Sequence, residues 1–263
     1  MVRARFEPRF FRRMHRGGIL FSLLALLALP ASAAEYGDVS GQFVFEGEIP
    51  EREVLIQKGD AGAKDAAVCA ADAIPSDALL VDPETKGIRN VFVYLLRASD
   101  VHPDLRKSAK EEVVFDQKGC RFIPHALFVR TDQKVRVLSD DPVPHNTHTF
   151  PLRNQAVNFL LQPNERVGSP VSVALPELLP VQVKCDIHTW MSAYWLVLDH
   201  PYAAITDEQG KFAIEKLPAG THKLRVWHEK VGYVDREYEV TVEAGNTTEL
   251  PPVKVPAARF EEK

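Results

Sequence analysis

Val181, Val183 and Cys185 alternate with Gln182 and Lys184, and His188 and Met191 follow that cysteine within six residues. Strict alternation marks a strand with one buried face, so Cys185 points inward at a strand end. The chain must then turn back at once, because Ser192 to Leu198 (SAYWLVL) reads as a buried return strand. Upstream, Val135 and Val137 alternate with Lys134 and Arg136. That strand runs into Ser139-Asp140-Asp141-Pro142, a turn that delivers Val143-Pro144-His145-Asn146-Thr147-His148. The 19 Pro and 14 Gly among 263 residues favour short strands and turns over long helices.

The thiol, thioether and imidazole inventory gives this pattern a chemical meaning. Beyond residue 33 there are three cysteines, Cys69, Cys120 and Cys185, and one methionine, Met191. An odd cysteine count in an exported chain leaves one thiol that needs a reason to persist. Metal coordination supplies one, because it deprotonates and occupies the sulfur. Cys185, His188 and Met191, with His145 forty residues earlier, offer a thiolate, two imidazoles and a thioether. That is the donor set of a blue-copper site, with His, Cys and His in a trigonal plane and a weak axial Met. Zinc also binds Cys and His but rarely takes a thioether.

The N-terminus predicts export. Arg3, Arg5, Arg9, Arg12, Arg13 and Arg16 precede an apolar run, Ile19 to Leu29, which ends in Pro30-Ala31-Ser32-Ala33-Ala34. A basic head, a short apolar middle and small residues at the end make a secretory signal peptide over 1–33. Eleven apolar residues are too few to span a bilayer as a helix. The expected location is therefore outside the cytoplasmic membrane, periplasmic or extracellular, with no stable membrane insertion. Loss of 1–33 removes six Arg and Glu7, turning 32 basic against 36 acidic residues into 26 against 35, or −9. With a formal net charge of −4 over the whole sequence and no long basic run beyond residue 16, nucleic acid is not an expected partner.

Cys-x2-His-x2-Met at Cys185, His188 and Met191, with Pro144-His145-Asn146 upstream, resembles the cupredoxins, above all amicyanin and plastocyanin. The resemblance covers 112–199, with earlier strands contributed from Gly37 onward. It implies a Greek-key sandwich holding one type 1 copper, with His145, Cys185, His188 and Met191 as ligands. It implies that Asn146 holds the His145 loop and directs its backbone N–H at the Cys185 sulfur. It also implies an electron exit at the edge of His188, ringed by apolar residues. Three features depart from the small members: about 75 extra residues after the signal peptide, Asp186 in place of a small hydroxyl residue, and the additional His125 and His148. Cys69 and Cys120 remain. A disulfide between them would staple the N-terminal insertion to the sandwich; two buried reduced thiols are the alternative.

Past Asp199 the phrase Thr206-Asp-x-x-Gly210-x-Phe212-x-Ile214-x-x-Leu217-Pro-Ala-Gly220 resembles the carboxypeptidase regulatory-like sandwich, also called prealbumin-like or Cna B-type. Asp207 to Gly210 predicts a hairpin turn between two short strands. The expected organisation is thus all-β: 1–33 signal peptide, 34–199 cupredoxin-like domain with its insertion, 200–257 small β-sandwich, 258–263 tail. The small sandwich could borrow the strand Val39 to Phe45, where Val39, Phe43 and Phe45 share a face.

The remaining candidates have plain readings. His125 serves either a second metal or, more simply, a satisfied turn. Trp190 either lines a docking patch or plugs the sandwich end. Trp227-His228-Glu229-Lys230 suits an interdomain contact. A catalytic copper with an open position would need more histidines than this chain brings together, and an inward strand-end Cys185 is a poor nucleophile. The chain therefore reads as a carrier of single electrons between a protein donor and acceptor, and not as an enzyme. Copper storage or delivery and a purely structural sandwich module are the other readings.

Overall fold

The computed structural model describes residues 35–261. The signal peptide expected over 1–33 lies outside the described residues. Among the described residues no helix is long and apolar enough to cross a membrane.

The chain is all-β, built as two sandwiches stacked on one another. The first has a five-stranded sheet in the spatial order Asn158–Leu161, His145–Phe150, Val181–Lys184, Ser192–Leu198, Ala126–Arg130. Facing it is a four-stranded sheet of Ser169–Ser172, Lys134–Val137, Glu112–Gln117 and Phe122–Ile123. Strands with alternating apolar residues bury one face, and the two inner faces close on Phe115, Val135, Val137, Val183 and Trp195. Phe115 meets the Trp195 ring edge-on, at 5.0 Å between centroids.

The second sandwich draws strands from both ends of the chain. Ala203–Ile205, Phe92–Leu95, Gly220–His228 and Gly232–Val242 form one sheet. In the other, Tyr36–Glu46 pairs with Lys211–Pro218 on one side and with Thr247–Glu249 and Val253–Pro256 on the other. The borrowed strand considered from the sequence is therefore central to its sheet. Phe92–Leu95 is a second loan from before residue 199, so the sequence boundary at 199/200 does not divide the strands into their sandwiches. The Asp207–Gly210 turn forms, with Gly210 N–H donating to the Asp207 carbonyl at 3.0 Å. It is not a hairpin, because its flanking strands enter different sheets. The last strand is two, since Pro251 and Pro252 carry no amide hydrogen to continue a ladder. Phe260, expected in a tail, packs against Phe45 in the core.

Alternation also explains the stacking. In Ser192–Leu198, Trp195 and Val197 face the first core, while Leu196 and Leu198 face outward onto Phe92 and Tyr94 of the second sandwich. Val93 and Leu95, between them, face the second core. A strand buried on both faces reads as a continuous apolar run, which is what SAYWLVL is.

The insertion between Tyr36–Glu46 and Phe92–Leu95 contains a small sheet, Val54–Ile56 with Ile74–Pro75, and a one-turn helix, Ala66–Cys69. The alanine-rich stretch 61–71 suggests a longer helix than the one that forms. Gly62 and a left-handed Asp65 (φ 54°) break its first half. Ile56, Cys69 and Ile74 are buried in the first core, so the insertion covers one end of that sandwich.

Candidate metal centre

His145 begins its strand and Cys185 follows the end of the neighbouring one, as the alternation places them. After Cys185 the chain makes a tight return: Met191 N–H donates to the His188 carbonyl at 2.9 Å, and Cys185 N–H to the Met191 carbonyl at 3.3 Å. This return brings His188 back over the sulfur. His145 Nδ1 and His188 Nδ1 are 2.9 Å apart, and His188 Nδ1 is 3.8 Å from Cys185 Sγ. One ligand atom from each of His145, Cys185 and His188 lies within 4.8 Å of the other two. All three side chains are buried, as is Met191, which lines a small cavity beside Trp190, Cys120 and His125.

Electrostatics ready the donors. Burial pushes the Cys185 thiol up, but His145, His188 and the backbone N–H groups of Asn146 and His188 outweigh it and bring the thiol down to about 6. Burial pulls the His145 imidazole down, and the Asp141 carboxylate and Cys185 sulfur outweigh it, raising it to about 9. Each group thus favours the other's charged form, which shifts Cys185 toward the thiolate that a metal takes. Asp141 is held below the usual carboxylate range against its burial by His145 and by the N–H groups of Cys120 and Gly119.

Asn146 does more than its backbone role. Its Oδ1 accepts from Asp186 N–H at 2.6 Å and Ile187 N–H at 3.3 Å, and lies 3.3 Å from Cys185 Sγ. Its Nδ2 donates to Asn158 Oδ1 and Asp186 Oδ2. The loop after the cysteine is therefore tied to the histidine strand. Asp186 also accepts from Asn158 and pairs with His148 Nδ1 at 3.1 Å. His148 faces outward on its strand, away from the three donors, and stacks on Phe150.

Cys69 and Cys120 are joined as a disulfide, leaving Cys185 as the free thiol. His125 pairs through Nε2 with Glu229 of the second sandwich, and its carbonyl accepts from Tyr194 N–H. It is thus a joint between sandwiches, and the motif containing Glu229 makes the interdomain contact. Trp190 donates to the Cys120 carbonyl at 3.1 Å and lies 5.2 Å from the His188 ring, so it plugs the sandwich end.

One expectation about the centre itself is overturned. The His188 edge is not a surface exit: the residue is 0% exposed, and its Nε2 meets Asp65 Oδ2 of the insertion at 3.0 Å. The sequence reading misses two carboxylates, Asp65 and Asp141, which hold the far nitrogens of His188 and His145. Asp141 is visible in the sequence as the turn residue four before His145. Asp65 is not, being 123 residues from its partner.

A family profile described as polysaccharide lyase family 4, domain II, matches residues 187–250. That span overlaps the region likened to the carboxypeptidase regulatory-like module and carries a different name. No curated protein matches the sequence. Among solved structures, a copper-containing nitrite reductase from Thermus scotoductus SA-01 is 16% identical over 33% of this chain and 22% of its own, with a TM-score of 0.30. The chain thus spans about a fifth of that protein's length. A reduced, singly substituted amicyanin is 17% identical over 35% of this chain and 86% of its own, at 0.30. A purple cupredoxin from Nitrosopumilus maritimus is 15% identical over 34% of this chain and 99% of its own, at 0.27. Likenesses this partial decide nothing about the site.

Proposed function

We propose that the protein is an exported type 1 copper protein that carries single electrons between redox partners. The observation that carries this reading is the convergence of His145 Nδ1, Cys185 Sγ and His188 Nδ1 in a buried pocket at the end of a sandwich. The donor types fit copper: two imidazoles and one thiol whose ionisation the neighbouring histidines favour, with Met191 buried in the return that follows the cysteine. Bound copper would supply reversible exchange between its +1 and +2 states.

The chain's own residues do the rest. His145, Cys185 and His188 would hold the copper, Asn146 and the His188 N–H orient the sulfur, and the insertion covers that end of the sandwich. A substrate has no direct approach to donors this buried, which favours carriage over catalysis and over exchangeable storage. With the His188 edge covered, one route from the sulfur to a partly exposed ring runs along the backbone to Asp186 and across its hydrogen bond to His148. A partner using this route would dock near His148 and Phe150.

The test pairs two rates. The copper-loaded protein is expected to be bleached by ascorbate and restored by ferricyanide with one electron per copper, and to lose copper to a mild chelator far more slowly. Rapid chelator loss with no reversible bleaching would favour delivery and overturn carriage.

A further inference from the structure

Each imidazole of the centre has a carboxylate at its far nitrogen. Asp141 Oδ2 lies 2.8 Å from His145 Nε2, and Asp65 Oδ2 lies 3.0 Å from His188 Nε2. Such a partner fixes which ring nitrogen faces the metal and makes that nitrogen a better donor. Asp141 comes with its histidine's own turn. Asp65 is brought from the insertion and must be held there.

The local structure shows what holds it. Asp65 precedes the helix Ala66–Cys69, where an aspartate ordinarily accepts from the first free N–H groups. Here its side chain makes no cap bond. Its backbone is left-handed, φ 54° and ψ 42°, which is uncommon for a residue other than glycine. The carboxylate has given up its usual local partner for His188. Four residues on, Cys69 is bonded to Cys120. The Cys120 N–H donates to Asp141 Oδ2 at 2.8 Å, and its carbonyl accepts from Trp190. The two carboxylate–histidine pairs are therefore linked into one ring through the disulfide, whose two sulfurs both lie within 4.8 Å of a His188 ring nitrogen.

We propose that Asp65, latched over the centre by Cys69–Cys120, is a positioning residue for the His188 ligand: it fixes His188 Nδ1 toward the Cys185 sulfur and seals the imidazole edge from solvent. The inference rests on the copper reading above. It assigns the insertion a role in the metal's charge preference and retention, and it explains why Asp65 exchanges a helix cap for a bond to a residue so distant in sequence.

The experiment compares the wild type with Asp65→Ala, Asp65→Asn and the Cys69→Ser/Cys120→Ser pair, all copper-loaded. Three quantities are read: chelator release rate, reduction potential, and solvent exchange of the His188 ring N–H by NMR of the copper(I) form. Asp65→Ala should weaken copper(II) retention about 10- to 100-fold, the usual effect of losing such a partner. A tenfold loss confined to copper(II) raises the potential by about 59 mV. The His188 ring N–H should change from slow to fast exchange. Asp65→Asn, which keeps an acceptor but no charge, should retain slow exchange while the potential still rises. The cysteine pair should reproduce the faster exchange. Unchanged release, potential and exchange in Asp65→Ala, in a protein that still shows the thiolate–copper colour, would overturn this inference alone. Wild-type protein that takes up no copper would overturn the copper reading, and this inference with it.

Discussion

At the scale of single residues, the centre is a balance between burial and charge. Burial alone would keep Cys185 a thiol and His145 a neutral ring; their mutual attraction, with Asp141 behind the imidazole, reverses both. Metal binding needs the imidazole neutral and the sulfur ionised. Between about pH 6 and pH 9 the sulfur is ready and His145 still holds a proton, so that proton is the one released. Copper binding in weak buffer at pH 7.5 should release about one proton per metal, and apparent affinity should rise about tenfold per pH unit up to pH 9. Release that is absent at pH 7.5, by indicator dye or calorimetry in two buffers, would contradict the thiolate–imidazolium pair. Met191 would be a fourth, weak ligand. Met191→Gln should keep copper and lower the potential, because a harder axial donor favours the +2 state; a voltammogram unchanged from wild type would remove Met191 from the ligand set.

At the scale of elements, the insertion and one turn are the points of greatest constraint. The disulfide closes 51 residues, and the chain-entropy relation gives it about 4 kcal/mol of stabilisation. The Cys69→Ser/Cys120→Ser pair should lose much of that in urea denaturation; an unaltered midpoint would mean the insertion is held by its packing alone. Gly210 has φ +73°, and a Cβ there would lie 2.3 Å from the Phe43 carbonyl oxygen and 2.6 Å from Ile88 N. Gly210→Ala should therefore cost more than about 1 kcal/mol through the second sandwich, with the copper colour of the folded fraction unchanged. These elements also mark how far the sequence can be read. Strands such as 134–137, 181–184 and 192–198 follow from two-residue alternation, and the three donors sit at their ends because alternation decides which way Cys185 points. Alternation is a local signal. It does not say that Ala203–Ile205 and Lys211–Pro218 part into different sheets, nor that Asp65 crosses 123 residues to cover His188. Those facts are decided by packing between elements distant in the chain.

At the scale of the whole molecule, two sandwiches share a third apolar layer, and histidines are buried along the stack. His200 is 2% exposed and held down to about 4 by burial. His228 is 1% exposed and held down to about 3 by burial and by the nearby His125 and Lys230. Their folded values lie below the unfolded 6.5, so below pH 6.5 the unfolded chain takes up protons that the folded one refuses. Together they should cost up to about 3 kcal/mol per pH unit between pH 6.5 and about 4. His145 acts with the opposite sign, contributing fully below 6.5 and losing its contribution as pH rises through about 9. Cys185, lowered from 9.0 to about 6, acts against His145 over that range, gaining stability as pH rises. Before metal binds, thermal stability should therefore change little between about pH 6.5 and 9 and fall steeply on the acid side. His228→Gln should flatten the acid limb; an acid limb of wild-type slope in that variant would contradict the assignment. The central claim is that a buried thiolate at Cys185 and imidazoles at His145 and His188 hold one copper. Its most direct test is a copper(II) titration followed by visible absorption and EPR, run beside Cys185→Ser. The expected result is an intense charge-transfer band that saturates at one copper per chain and is absent from the variant. A colourless wild type, or a band that survives in Cys185→Ser, would contradict it.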